Sequence, residues 1–225
     1  MNEFIFFLHI FVITGFTLGA LRLGQEALVA LLCVQSLLSN LFVIKQITLF
    51  GLDVTSTDVF AVGGIIGLNL LQEYFGKSIA IKAITINFFV LIFYLMMTQF
   101  HLWYQPNVFD IMHHHFTPIL TPMLRITIAS LTVYAVVQMV DTYLYRFLKN
   151  RFAGKYLLMR SVISLTCTQF LDTVLFSFAG LYGIVESMTH IIIVSFIIKM
   201  IVIALSSPCI TLSKFIMKSP AHERI

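Results

Sequence analysis

Apolar residues run along this chain in seven long blocks, covering residues 4–21, 26–45, 57–76, 79–103, 123–147, 157–182 and 188–207. Each is close to the roughly 20 residues that a helix needs to cross a bilayer, and no strand alternation competes with the pattern. A chain that spans a membrane must satisfy its backbone inside helices or a closed barrel. The pattern therefore predicts an all-α polytopic membrane protein with six to seven transmembrane helices, residues 1–225 forming a single transmembrane domain. The first block could pass for a signal peptide. It begins with Glu3 rather than a basic segment and is followed by Arg22, so it is read as a helix.

Composition agrees: 59% of the residues are AVILMFWYC, 11% are charged, and 22 are Phe. Soluble domains carry about 25% charged residues, so this chain lacks the polar surface to cover a globule in water. That excludes a large soluble domain and most enzymes of α/β fold. Cys33, Cys167 and Cys209 are odd in number, lie in or beside apolar blocks and form no CxxC, which gives neither a disulfide framework nor a zinc site. No metal and no cofactor is expected.

The net charge of +4 is a topology signal rather than a nucleic-acid one. Arg146, Lys149, Arg151 and Lys155 place the 146–155 loop in the cytoplasm. Counting outward, Arg22, the Lys77/Lys82 turn and the tail with Lys214, Lys218 and Arg224 also fall inside. The 104–122 and 183–187 loops hold no Lys or Arg and fall outside; Lys45 alone is on the wrong side. The expectation is a cell (inner) membrane protein with its N-terminus outside and its C-terminus cytoplasmic.

Ionisable groups at membrane depth are costly and mark functional candidates. They are Glu73, Arg125, Asp141, Arg160, Asp172 and Lys199, with Asp58 at the outer end of the third block. The fifth and sixth blocks repeat a motif: Arg125, Ser130, Gln138, Asp141, Thr142 answers to Arg160, Ser164, Gln169, Asp172, Thr173. The two blocks run in opposite directions, so the repeat is inverted. At 1.5 Å per residue, Arg125 and Asp141 are about 24 Å apart and Arg160 and Asp172 about 18 Å. Antiparallel packing then predicts the cross-helix pairs Arg125–Asp172 and Arg160–Asp141, because unpaired charges in hydrocarbon cost far more than paired ones. Related polar arrays facing opposite sides suit alternating access, as in transporters built from inverted repeats.

Asn69, Gln72 and Glu73 share one face of the third block, and Gly63 and Gly67 form a small-xxx-small step that admits a close neighbour. Gln35, Ser39 and Asn40 form a strip on the second block, read either as structural glue or as cavity lining. Gly76-Lys77-Ser78 resembles the end of a P-loop, but position 71 is Leu and no strand precedes it. Asp141 and Asp172 lie at different depths and lack the GxGD of an intramembrane aspartyl protease. His113-His114-His115 reads as a solvated loop. A mid-membrane Lys199 on the last of seven helices admits a retinal protein, but the polar cluster is too rich for that ligand.

Several of these residues together resemble the queuosine-precursor transporter family, a branch of the vitamin uptake transporters, from about residue 36 to residue 207. Ser39-Asn40 through Lys45 with Leu49-Phe50-Gly51-Leu52 is similar to the family's second-helix signature. Glu73-Tyr74-Phe75-Gly76 followed by Ala80 matches its acidic residue before an aromatic-glycine turn. Arg125, Ala129, Ser130, Tyr134, Gln138 and Asp141 match its arginine helix; Arg160, Ser164, Gln169, Asp172, Thr173 and Phe176 match the next, and Lys199 the late lysine. Asn69 stands where many members carry an acid. The helix at residues 1–25 is extra to the family's usual six.

The resemblance implies a transporter, not an enzyme, that imports a 7-deazaguanine base such as queuine or a precursor. Its partners would be that small molecule and the lipid bilayer, with no nucleic acid. A homo-oligomer, an energy-coupling partner and an ion-channel activity all stay open. A guanine-type edge offers adjacent N–H donors that a carboxylate accepts side by side. The expected site lies between the third, fifth, sixth and seventh helices. Glu73, Asp141 and Asp172 are its carboxylates, Asn69, Gln138 and Gln169 its amides, and Lys199, Arg125 and Arg160 its cations. Tyr134 and Phe176 could stack on the heterocycle.

Overall fold

The computed structural model describes residues 1–152 and 157–217; side chains at 142, 145, 146, 149, 157–162, 205–212 and 214–217 lie outside the described residues. Seven long helices form a bundle: α1 (Asn2–Leu23), α2 (Gln25–Phe42), α3 (Asp58–Phe75), α4 (Lys77–Trp103), α6 (Met123–Arg151), α7 (Leu157–Phe176) and α8 (Met188–Met217). A short α5 (His113–Leu120) precedes α6, and one π-helical turn, Ser177–Leu181, continues α7. Phe11, Phe16, Phe89 and Phe93 project outward and are exposed, as lipid-facing side chains should be.

Five helical segments are long and apolar enough to cross a membrane: Asn2–Leu23, Gln25–Phe42, Lys77–Trp103, His113–Asp141 and Ile163–Leu181. Met188–Ala204 is a shorter apolar helix. The third block of the sequence pattern, now α3, is absent from that set. It packs against α1, α2, α4 and α8, and a helix enclosed by protein can carry Asp58, Asn69, Gln72 and Glu73 without presenting them all to lipid.

The sequence pattern extends the second helix to residue 45 and shows no strand. The structure differs: α2 stops at Phe42, and β1 (Gln46–Leu49) pairs antiparallel with β2 (Leu52–Thr55), Gln46 opposite Thr55 and Leu49 opposite Leu52. Phe50 and Gly51 close the hairpin at φ 53° and 78°, the pair of positive values of a type I′ turn. Leu49 and Val54 are buried. Five contacts tie the hairpin down. Asn2 Nδ2 donates to the Thr48 carbonyl at 2.9 Å and the Phe50 amide to Glu3 Oε1 at 3.2 Å. The Glu186 amide donates to Gln46 Oε1 at 2.8 Å, Gln46 Nε2 to the Ile184 carbonyl at 3.5 Å, and the Asp53 amide to His190 Nδ1 at 3.2 Å.

From Asp53 beside His190, the chain descends along α8 until Asp58 lies beside Ser195 and Lys199. Those two residues sit about 10 Å and 17 Å along α8 from its first residue. Helix α3 therefore begins inside the bundle, not at its rim. Non-helical backbone at such depth is tolerated because protein surrounds it. The region read as an uninterrupted loop, 104–122, contains α5. Asp110 precedes it and accepts from the Met112 and His113 amides at 2.8 and 3.0 Å, which holds its carboxyl below the usual range.

Gly24 and Gly76 make one-residue corners between helices at φ 113° and 90°, values that L side chains rarely adopt. Gly63 serves close approach instead: a Cβ there would lie 2.4 Å from Gln35 Oε1 and 2.5 Å from Ile13 Cγ2, so α1, α2 and α3 meet at this point. At Gly64 a Cβ would meet nothing within 4 Å. Gly63→Ala should therefore destabilise the protein by about 1–3 kcal/mol, while Gly64→Ala should be close to neutral. Thermal unfolding of the two purified variants checks this; equal midpoints would mean that the three-helix contact is not as tight as described.

Candidate functional site

Lys199 stands on the buried face of α8, one helical turn beyond Ser195. Its Nζ donates to Asp172 Oδ2 at 2.6 Å and to Thr173 Oγ1 at 3.1 Å. The side chains of Lys199 and Asp172 are 13% and 30% exposed. An ammonium has three donors, so one remains beyond these two bonds. Asp58, 8% exposed, faces the same lysine from the first turn of α3, beside the Ser195 hydroxyl. Its Oδ2 is buried and has no hydrogen-bond partner among the described residues.

These groups line a cavity of about 200 Å³ beneath the hairpin, with Thr55 and Thr57 above and Ser39, Ser130, Tyr134, Phe176 and Ser177 around it. A second cavity of about 260 Å³ adjoins it between α2 and α4. Ser39, Ala61, Ser130 and Tyr134 line both, so the two form one bipartite cavity. Together they fall within the roughly 300–1,000 Å³ typical of small-molecule sites. The first compartment is charged and offers a cation, two carboxylates and several hydroxyls. The second is lined by no carboxylate or cation among the described residues.

The expected residues divide. Asp172 and Lys199 meet directly. Arg125 does not pair with Asp172: its Nε donates to the Ala179 carbonyl at 2.8 Å, its Nη1 to Tyr182 at 2.7 Å and its Nη2 to Phe178 at 3.4 Å. Those carbonyls belong to the π-helical turn and the residue after it, where a helix end leaves acceptors unsatisfied and a cation complements the dipole. The depth match with Asp172 fails because the turn carries these acceptors about 10 Å beyond it. Asp141 accepts from Ser164 Oγ at 2.7 Å, so α6 and α7 join there through a hydroxyl. The side chain of Arg160, its expected partner, lies outside the described residues.

Gln138 is exposed on α6 and donates to the Tyr134 hydroxyl at 2.8 Å, which places it behind that ring and off the lining of both compartments. Asn69 and Gln169 are half-buried and Glu73 is exposed, and none of them lines either compartment. Glu73 is about 22 Å along α3 from Asp58, at the opposite end. Asp58 is the carboxylate that the sequence reading left out of the site. Thr55-Ser56-Thr57-Asp58 is a helix-start signature, and a helix start reads as a surface position unless the preceding loop is known to dip.

A family model described as "Putative vitamin uptake transporter" matches residues 59–213, well over half of the chain. A "Probable queuosine precursor transporter" of Bacillus subtilis (strain 168) is 28% identical over 213 residues, covering 92% of each chain. No solved structure matches.

The pair at the centre yields a stability test. Lys199→Met leaves carboxylates without their cation and should cost about 2–3 kcal/mol, near the low end for a partly buried pair. Asp172→Asn in the same chain should recover at least about 1 kcal/mol of that loss. Thermal unfolding of both singles and the double reads the coupling; strictly additive losses would show that the two do not interact.

Proposed function

We propose a substrate for this chain, which belongs to the vitamin uptake transporter family: a 7-deazaguanine base of the queuosine-precursor class, imported into the cytoplasm. The protein is a multi-pass membrane transporter of small molecules and not an enzyme. The observation that carries the substrate reading is the adjacency of Lys199 and Asp172 at 2.6 Å in a buried cavity. A guanine-type edge places a carbonyl next to N–H donors. An ammonium beside a carboxylate is its complement: Lys199 donates to the carbonyl, and Asp172 Oδ1 accepts from the ring N–H and exocyclic amine. Asp58 supplies a second acceptor to that donor edge, and Tyr134 and Phe176 offer ring faces or edges for the heterocycle. The printed name of the Bacillus subtilis relative supports the same class of substrate.

In this reading the hairpin and the N-terminus face the outside and the C-terminus faces the cytoplasm of a cell inner membrane, as the loop charges favour. The buried charges sit under a re-entrant hairpin, and helix α3 starts at the site. Transporters recurrently place helix ends at a mid-membrane site in this way.

Expression in a host that neither makes nor imports queuosine precursors, and lacks energy-coupling ATPases, tests the reading. Queuosine in tRNA should return when one 7-deazaguanine is supplied. Asp58→Asn and Asp172→Asn should each lower uptake by at least about 100-fold at wild-type membrane abundance, as loss of a charged partner in a polar site does. Glu73→Gln should lower it far less. No queuosine from any supplied base with the wild-type chain would remove the proposed substrate, and wild-type uptake by both aspartate variants would remove the site.

A further inference from the structure

The charges of the first compartment do not cancel. Its described lining carries two carboxylates, Asp58 and Asp172, and one ammonium, Lys199. Lys199 is engaged by Asp172 and Thr173, at 2.6 and 3.1 Å, and Asp58 is the carboxylate left over. It is more than nine-tenths buried, it lines the cavity, and its Oδ2 has no hydrogen-bond partner among the described residues. A neutral base brings hydrogen-bond donors to this site but no charge. With the cargo in place the cluster is still one positive charge short, and an uncompensated ion at membrane depth is costly.

Binding of the base deepens the shortage. An ammonium has three donors, and in the proposed binding mode the base carbonyl takes the one that Asp172 and Thr173 leave free. No N–H of Lys199 then remains for Asp58. What completes the site must be positive and small, because the same cavity of about 200 Å³ holds the heterocycle. A metal ion would need a shell of oxygens beside an ammonium that repels it. The Thr55 and Thr57 hydroxyls are already bonded to each other at 3.2 Å, and no group of three or more His, Cys, Asp or Glu among the described residues could hold a metal. A proton needs only Oδ2 itself.

Few groups face Asp58. Helix α8 presents Ser195 and Lys199, α7 presents Asp172 and α6 presents Tyr134, while α2 and the hairpin bring only the hydroxyls of Ser39, Thr55 and Thr57. His9 of α1 turns its ring to Phe60, with centroids 5.3 Å apart. His190 of α8 is held by the Asp53 amide. No imidazole lines the cavity among the described residues. Asp172 could take a proton only by giving up its ion pair with Lys199, and Asp58 has no such pair to lose.

We propose that Asp58 is the coupling site of a proton–base symport. Its Oδ2 takes one proton from water on the outer side as the base binds, and returns it to water on the cytoplasmic side as the base leaves. The O–H bond formed outside is the one broken inside, and no electrons are transferred. Protonated Asp58 keeps a carbonyl oxygen that accepts from the base, so its part in recognition stands. This rests on the assignment of the base to the charged compartment.

Purified full-length protein in proteoliposomes, clamped at zero membrane potential and supplied with radiolabelled 7-deazaguanine, tests it. With the interior one pH unit more alkaline than the medium, the wild-type chain should accumulate the base several-fold, up to about tenfold at one proton per base. An inward sodium gradient at equal pH should leave the inside-to-outside ratio at one. In Asp58→Asn the steady-state ratio should stay at one under the pH gradient, however slow the flux. Dicyclohexylcarbodiimide, which reacts with protonated carboxyls in apolar surroundings, reads the same residue in the wild type if that variant fails to fold. Peptide mass spectrometry should find it on Asp58 and not on Asp172, several-fold more at pH 6 than at pH 8. Accumulation driven by sodium and not by pH, or a base that only equilibrates, would overturn the proton. Accumulation retained by Asp58→Asn, or carbodiimide on Asp172 in place of Asp58, would overturn the site. Wild-type protein that carries no 7-deazaguanine under any gradient would overturn the substrate reading instead.

Discussion

Ionic groups in a hydrocarbon layer must be compensated inside the protein, and in this molecule that constraint falls on Asp58, Asp172 and Lys199. Removal of two carboxylates and an ammonium from water is expensive, so the fold brings them together from three helices. Lys199 on α8 reaches Asp172 and Thr173 on α7, which fixes those two helices face to face. Asp58 joins from α3. Two carboxylates on one ammonium leave the cluster short of donors. A ligand with adjacent N–H groups would complete it, which is the proposed basis on which this transporter recognises its cargo.

The hairpin follows from the same constraint. For Asp58 to stand beside Lys199, α3 must start well inside the bundle, and the chain that delivers it cannot be helical. Strands β1 and β2 satisfy each other's backbone groups, and Asn2, Glu3, Glu186 and His190 tie them to the rest of the molecule. Arg125 does a related job: it satisfies carbonyls freed where α7 ends in a π-helical turn beside the cavity. Charges that look alike as substrate ligands in a one-dimensional reading thus take different places. Asp172 and Lys199 face the cavity, Arg125 holds the backbone that shapes it, and Asp141 and Glu73 stand off the lining of both compartments.

How much of this was legible in the sequence depended on the period of the signal. Blocks of some twenty apolar residues announce helices plainly, and the helix starts agree with them to within a few residues, while α8 runs on to Met217, well past the block that ends at 207. The hairpin was hidden, since its strands are four residues each and its turn is Phe50-Gly51 instead of Asn-Gly. Lys199 and Asp172 were legible because charge deep in an apolar block has few innocent explanations. Asp58 was not, because a linear count places a helix start at the surface. The Arg125–Asp172 pair failed for a related reason: depth along ideal helices was counted correctly, but the competing acceptors in the π-helical turn carry no signature in residue type. The strip of Gln35, Ser39 and Asn40 carried nothing to distinguish glue from lining until the structure placed all three on the wall of the second cavity.

The central claim is that the Lys199–Asp172 pair, with Asp58, reads a carbonyl beside N–H donors. Equilibrium binding of 7-deazaguanine and 7-deazaadenine to the purified protein tests it most directly, because the two rings have nearly the same shape and opposite donor–acceptor edges. The account predicts that 7-deazaguanine binds at least about 100-fold more tightly, since the wrong edge leaves buried charges unpaired. Equal affinity for the two would contradict it.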